Sequence, residues 1–339
     1  MSRVESLHLT GPLPAVRRLA LLAAELGVPA EVTSGVLHVA LEAASPLIDR
    51  AATVLAPLEA TLVHVVRTDL AKGSMESMLA IACASPTIAQ LAARRTHRRL
   101  LEAVHSREGV TVGFQQVVDL GTGRTMGFEA LLRVRLGHTD VTPADVLSAA
   151  EDAGRLVEVD AAARSVAVHQ AAPAIGDRIL FLNVLPASLP VPGEQLAPLA
   201  AEAGELGLDT QRIVLEAPVG PPGSLRRQVD AVFVAARAAG FLIGLDNVRS
   251  QRDLDVINVV PDYVKLDRSL VRGLPAPSGT RALGGIVREC QHSGATLVAQ
   301  GIETPEHLKA VRELGVRYAQ GWALGRPGAI TSEAPATTA

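Results

Sequence analysis

Phe241-Leu242-Ile243-Gly244-Leu245-Asp246 and Tyr263-Val264-Lys265-Leu266-Asp267 decide the fold. Each is an apolar run of strand length that finishes on charged groups. Working outward, similar runs recur at 112–118, 126–132, 179–183, 213–216 and 296–300, with a shorter one at 317–320. Helical periodicity occupies 143–154, 160–172, 223–239, 280–293 and 305–314. A strand followed by a helix, repeated about eight times, predicts a TIM-type (β/α)8 barrel. Several strands end on polar residues: Asn183, Glu216, Asp246, Lys265 with Asp267, and Gln300. A single Asp after a strand is usually a turn residue or helix cap. Five such endings converge on the C-terminal rim, where barrel active sites sit. Three carboxylates and an amide on one rim suit a hard cation such as Mg2+ or Ca2+.

The first hundred residues follow another pattern. Strands are expected at 4–9, 31–32, 36–41 and 60–66, and helices at 13–26 and 46–58. The order β-α-β-β-α-β predicts a small α/β unit of ferredoxin-like type over residues 1–72. Its histidines, His8, His38 and His64, each sit in a strand-like run and are expected to be structural. Helices at 75–84 and 86–104 predict a linker over 73–105, leading into a barrel over 106–330. The small, polar stretch 331–339 is expected to be a disordered tail.

Composition narrows the functional classes. The chain has 339 residues, 48% of them hydrophobic, and a formal net charge of -3. That balance argues against general nucleic-acid or anionic-membrane partners, which need a basic footprint. The one dense basic run, Arg94, Arg95, Arg98 and Arg99, reads as the solvated face of a helix. The two cysteines, Cys83 and Cys290, lie far apart without metal-ligand spacing and read as thiols in a reducing cytoplasm. No run approaches the ~20 apolar residues of a membrane span, and no signal peptide is evident at the start, so a soluble cytoplasmic protein is expected. Lysine is scarce: Lys72, Lys265 and Lys309 stand alone among many arginines. A lysine at a strand end therefore draws suspicion.

The tripeptide Glu129-Ala130-Leu131, set in Gly127-Phe128-Glu129-Ala130-Leu131-Leu132-Arg133, begins an ordered series of motifs. Phe114-Gln115 and Val118-Asp119-Leu120 precede it. Pro143 to Glu151, Gly154, Asp160, Asn183, Leu215-Glu216, Lys265-Leu266-Asp267-Arg268, Gly301-Ile302-Glu303-Thr304, Gln320-Gly321-Trp322 and Arg326-Pro327 follow. Over about two-thirds of the chain this resembles the EAL family of cyclic-di-GMP phosphodiesterases. The resemblance implies a metal set of Glu129, Asn183, Glu216 and Asp246. It implies nucleotide contacts from Gln115, Glu129, Leu131, Arg133, Lys265, Asp267, Glu303 and Gln320. Family members hydrolyse cyclic-di-GMP with two metal ions that activate water, and Lys265 would stand near the scissile phosphate.

The departures fall on the second metal. Where the family has paired aspartates, this chain has Asp246-Asn247, and Gln300 replaces an acidic residue that is also a candidate general base. An amide cannot accept a proton at neutral pH and binds a divalent cation less well than a carboxylate does. The loop after the pair is Val248-Arg249-Ser250-Gln251-Arg252-Asp253-Leu254, without the family's glycine. A supporting glutamate is replaced in Ala217-Pro218-Val219, and the opening strand carries Gln116 where proline is usual. The resulting expectation is a catalytically degenerate EAL domain with no intact catalytic set: Lys265 is a remnant, and function is lost at Asn247 and Gln300. It would act as a cyclic-di-GMP receptor or regulator, holding one divalent cation (Mg2+, Mn2+ or Ca2+) and lacking the second site. The alternatives are a protein-interaction scaffold that no longer binds nucleotide and a weak phosphodiesterase. A homodimer and a protein partner engaged through the N-terminal unit are further expectations.

Overall fold

A computed structural model describes residues 6–68, 81, 85–106, 110–136, 139–219, 224–255, 258–274 and 276–330. The expected tail 331–339, nearly all of the expected helix 75–84, Lys72, Cys83 and the side chains of Arg94 and Arg95 lie outside the described residues. The chain divides into two compact units, Met1–Leu100 and Leu101–Ala339.

The first unit runs β1 (Ser6–Thr10), α1 (Leu13–Glu25), β2 (Ala30–Thr33), β3 (Val36–Ala40), α2 (Ala44–Val54), α3 (Pro57–Leu62) and β4 (His64–Thr68). Its sheet has the order β2-β3-β1-β4, paired antiparallel throughout. Strand alternation sends Leu7, Leu9, Leu37 and Val39 into a core shared with Leu19, Leu22, Leu47 and Ile48. His8 and His38, directly opposed across β1 and β3, bring their Nδ1 atoms within 2.6 Å. The expected strand at 60–66 begins instead as helix α3. Pro57 is preset for a first helical turn, and the Glu59 carboxylate accepts from the Ala56 amide at 3.0 Å. The strand starts only at His64, whose Nδ1 lies 3.0 Å from the Ser85 carbonyl oxygen.

Helix α4 (Ile88–Ser106) runs across the division between the units; Arg98 and Arg99 on it are exposed. Then come β5 (Val110–Asp119), β6 (Thr125–Leu136), β7 (Thr139–Val141), β8 (Ile179–Asn183), β9 (Ile213–Pro218), β10 (Leu242–Val248), β11 (Tyr263–Leu266), β12 (Thr296–Gln300) and β13 (Tyr318–Gln320). The sheet order is β5-β13-β12-β11-β10-β9-β8-β6-β7, and a β5–β6 pairing closes eight of these strands into a barrel. Among the described residues no helix is long and apolar enough to cross a membrane.

The barrel departs from an unbroken strand–helix repeat at its first strand. β5 pairs antiparallel with both neighbours, while β6 and β8 to β13 pair parallel around the ring. Antiparallel strands need only a tight connection, and Asp119 supplies its anchor: Oδ1 accepts the Gly121 amide at 2.8 Å, and Oδ2 pairs with Arg317 at 2.8 Å. The outer helices are α5 (Pro143–Asp152), α6 (Leu156–Ala171), α7 (Pro192–Glu205), α8 (Ser224–Ala238), α9 (Gln251–Leu254), α10 (Arg268–Arg272), α11 (Pro277–Ser293) and α12 (Pro305–Glu313). Helix α7 went unseen in the sequence because prolines read as loop. Pro192 opens its first turn and Pro198 is tolerated inside it, while Leu196, Leu199 and Ala203 bury one face.

Period-two alternation positions the site. Val117, Phe181, Val214 and Val298 form an apolar cluster with Tyr263 and Tyr318 packed against it. Two residues along the same strands, on the same face, stand Gln115, Asn183, Glu216, Gln300, Lys265 and Gln320. An apolar floor thus lies beneath a polar layer at the barrel mouth. Gly244 makes room for that layer, since a Cβ there would stand 3.1 Å from Glu216 Cγ.

Candidate functional site

The Lys265 side chain is 0% exposed, and its ammonium lies 2.7 Å from Glu129 Oε2 and 2.9 Å from Glu216 Oε2. It also stands over the Phe181 ring, 5.6 Å from the centroid. Burial opposes its charge, but Glu129, Glu216 and Asp246 outweigh that and hold its pKa above the usual amine range. An uncompensated buried ammonium would be prohibitive, so the lysine and its carboxylates are mutually required.

Two amides complete the surroundings of Glu129. Asn183 Nδ2 donates to Glu129 Oε1 at 3.3 Å, and Gln320 Nε2 donates to Glu129 Oε2 at 2.8 Å. Gln320 Nε2 also donates to Gln115 Oε1 at 2.9 Å, and Gln115 Nε2 donates to the Gly325 carbonyl at 2.9 Å. Burial raises the Glu129 pKa, yet Lys265 and the donors carry it below the ordinary value. Glu216 goes the other way: burial lifts it well above its ordinary value despite Lys265.

Asp246 has a different setting. Asn247 Nδ2 donates to Asp246 Oδ2 at 2.8 Å. Asn247 holds a left-handed backbone, φ 62°, which asparagine tolerates better than most residues. Burial raises the Asp246 pKa, and Lys265 and the Gln300 amide only partly offset it.

The structure brings Gln115, Glu129, Asn183, Glu216, Asp246, Lys265 and Gln320 into one hydrogen-bonded and charge-coupled cluster. Leu131, Arg133 and Asn183 line a cavity of about 260 Å3 beside it, with Leu147 and Leu185. Arg133 is exposed and donates Nη1 to the Leu132 carbonyl at 2.9 Å. Asp267 and Glu303 direct their oxygens elsewhere. Asp267 caps α10 through the Ser269 amide at 2.8 Å and pairs with Arg249 at 3.3 Å, and Glu303 pairs with Arg272 at 3.0 Å.

Two residues outside the expected site set support the cluster: Gln116, noted in the sequence only for replacing the usual proline, and Phe181. Gln116 is buried, donates to the Leu324 carbonyl and accepts from Thr125 Oγ1 at 3.0 Å. Phe181 forms the floor beneath the ammonium. A buried amide inside an apolar strand was the available signal for Gln116. An apolar residue two places before Asn183 gave none for Phe181.

The donor set suits a divalent cation in charge and in unused valence, though not in the present position of its side chains. With all groups ionised, three carboxylates and one ammonium leave the cluster two charges negative. Three buried oxygens here lack partners, Glu216 Oε1, Asp246 Oδ1 and Gln320 Oε1, and such groups are costly unless satisfied. Among the described residues no three His, Cys, Asp or Glu side chains already converge in ligating geometry. The Lys265 ammonium stands on Glu129 and Glu216 where a cation would approach.

Comparison with known proteins places these residues in a family. The EAL domain profile matches residues 97–327. The chain is 24% identical over 247 residues to the probable cyclic di-GMP phosphodiesterase PdeN of Escherichia coli, covering 69% of this chain and 46% of PdeN. It spans less than half the length of the curated relatives it matches first. The EAL domain of Xanthomonas citri FimX, solved with c-diGMP, superposes with a TM-score of 0.65 at 20% identity, over 73% of this chain and 99% of that one. Bacillus subtilis YkuI, solved with c-di-GMP and calcium, superposes at 0.60 and 23% identity, over 69% and 59%.

Proposed function

The chain belongs to the EAL domain family, and on that premise we propose that it is a receptor or regulator in cyclic-di-GMP signalling that binds the nucleotide without hydrolysing it. The observation that carries this reading is the company of Asp246. Asn247 points an amide N–H at its carboxylate, and the Gln300 amide helps to stabilise it. Neither amide can take a proton from an attacking water at neutral pH. Glu129 Oε2 and Glu216 Oε2 are tied to Lys265, which leaves Glu216 Oε1 and Asp246 Oδ1 as the unpartnered carboxylate oxygens of the cluster.

The binding half is intact in residue type. The exposed Arg133 would supply positive charge for phosphate oxygens, the buried Lys265 would do so by exchanging a bond to Glu129 or Glu216, and Gln115, Leu131 and Gln320, with Asp267 and Glu303, would hold the nucleotide. Glu129, Asn183, Glu216 and Asp246 would hold one Mg2+, Mn2+ or Ca2+. Such an ion supplies charge neutralisation and an anchor for a phosphate oxygen. The strand order of the first unit supports reading it as a ferredoxin-like sandwich, to which binding would be passed by a population shift.

Calorimetric titration with cyclic-di-GMP, with and without Mg2+ or Ca2+, tests the reading. One-site binding that weakens in Arg133→Ala is expected. Absence of heat under every metal condition overturns it and leaves an interaction scaffold in its place.

A further inference from the structure

Trp322 is the one tryptophan of the chain, and it is 60% exposed. Exposing an indole to this degree forgoes a large burial energy. Nothing in the packing of the barrel requires it, because the turn that carries it is already fixed. Gly321 presses so closely on Ile302 that a Cβ would stand 2.2 Å from its backbone. Ala323 N donates to the Ile302 carbonyl at 3.0 Å, and the Leu324 and Gly325 amides both donate to the Gly321 carbonyl at 3.0 Å. Gln115 from the inner face of β5 and Gln116 from its opposite face grip the far end of the turn, at the Gly325 and Leu324 carbonyls.

This turn adjoins the cluster. Gln320, two residues before Trp322, donates to Glu129. Gln115 accepts from Gln320 and donates to the turn. On the outer side, the space above Gly113 is bounded by Pro327 at 3.1 Å and Arg133 Nε at 3.7 Å, which sets Arg133 beside the end of the same turn. The Arg326 guanidinium stacks on the indole, 4.6 Å from the ring centroid.

We propose that Trp322, backed by Arg326, is a stacking platform for a purine base of the bound dinucleotide. An exposed aromatic ring on a fixed turn, stacked by a cation and with Arg133 beside the end of that turn, suits a base better than an apolar peptide. Base–aromatic stacking is independent of hydrogen-bond readout and contributes substantially to nucleotide affinity. The platform rests on the nucleotide-binding reading above, and its test separates the two.

Cyclic-di-GMP is titrated into the full chain while tryptophan emission and heat are followed in parallel. Emission arises from Trp322 alone. Saturable quenching with the calorimetric midpoint is expected. Trp322→Ala should weaken binding by about tenfold or more, and Trp322→Phe should retain most of it. Because the side chain is exposed, the thermal midpoint of Trp322→Ala should match the parent and so exclude a folding defect. Heat with unchanged emission and unaltered affinity in Trp322→Ala overturns the platform and spares the binding reading. Emission that follows protein concentration but not nucleotide would identify Trp322 as a self-association contact and overturn it too. No heat at all brings down the nucleotide reading, and the platform with it.

Discussion

The lysine side of the barrel mouth and the Asp246 side handle charge in opposite ways. Around Lys265, Glu129 and Glu216 meet a real counter-charge at 2.7 and 2.9 Å. Around Asp246, the Lys265 charge acts without a direct ion pair, and the adjacent Asn247 and Gln300 offer dipoles. The first arrangement keeps charges that a phosphate or a cation can use. The second sets proton-donating amides against the carboxylate. On the proposed reading, binding and hydrolysis draw on different halves of one mouth, so one could be lost without the other.

The contrast breaks most visibly at Lys265. Lys265→Met leaves Glu129 and Glu216 buried without their cation and should cost about 3–5 kcal/mol in urea unfolding. Asp246→Asn should cost far less in divalent-free buffer, because burial already penalises that carboxylate's charge. Comparable losses at both positions would erase the distinction.

Saturating Mn2+ sharpens it. A cation bound only by the folded chain stabilises by roughly 2.7 kcal/mol at a hundred times its Kd. The thermal midpoint should therefore rise on adding Mn2+, and the rise should disappear in Asp246→Asn. An unchanged midpoint in the parent would leave Lys265 as the sole cation of the site.

Asn247→Asp should cost about 1–3 kcal/mol without divalent ions. It removes a donor and sets a second anion against Asp246, in a backbone conformation that aspartate also tolerates. Denaturant midpoints for parent and variant measure this directly.

The smallest effect is on pH dependence. Glu216 and Asp246 have raised folded-state pKa values. Their contribution is present below the ordinary carboxylate range and is lost as pH rises through those raised values. Glu129, held below its ordinary value of 4.5, works in reverse, contributing above that range and losing it as pH falls. In divalent-free buffer, Glu216→Gln should flatten the decline in stability as pH rises from about 4.5 toward neutrality. A steeper decline in the variant would contradict the assignment.

Much of the barrel was legible because strand alternation and strand-end chemistry coincide: the residues at 183, 216, 246, 265 and 300 mark the rim by being polar after apolar runs. Two features were not. The reversed first strand has the same apolar character as its parallel neighbours, and only pairing shows its direction. Helix α7 was concealed by its prolines. In the site, residue types pointed to the cluster, but no spacing could say that Asn247 donates to Asp246 or that Asp267 and Glu303 pair with arginines. Those depend on side-chain direction in three dimensions.

The central claim is that the two amides separate binding from hydrolysis. Its most direct test is product analysis of cyclic-di-GMP incubated with excess protein and Mn2+, for the parent and for Asn247→Asp with Gln300→Glu. The account predicts bound, intact nucleotide with the parent and linear product with the double variant. Linear product from the parent, abolished by Glu129→Ala, would contradict it.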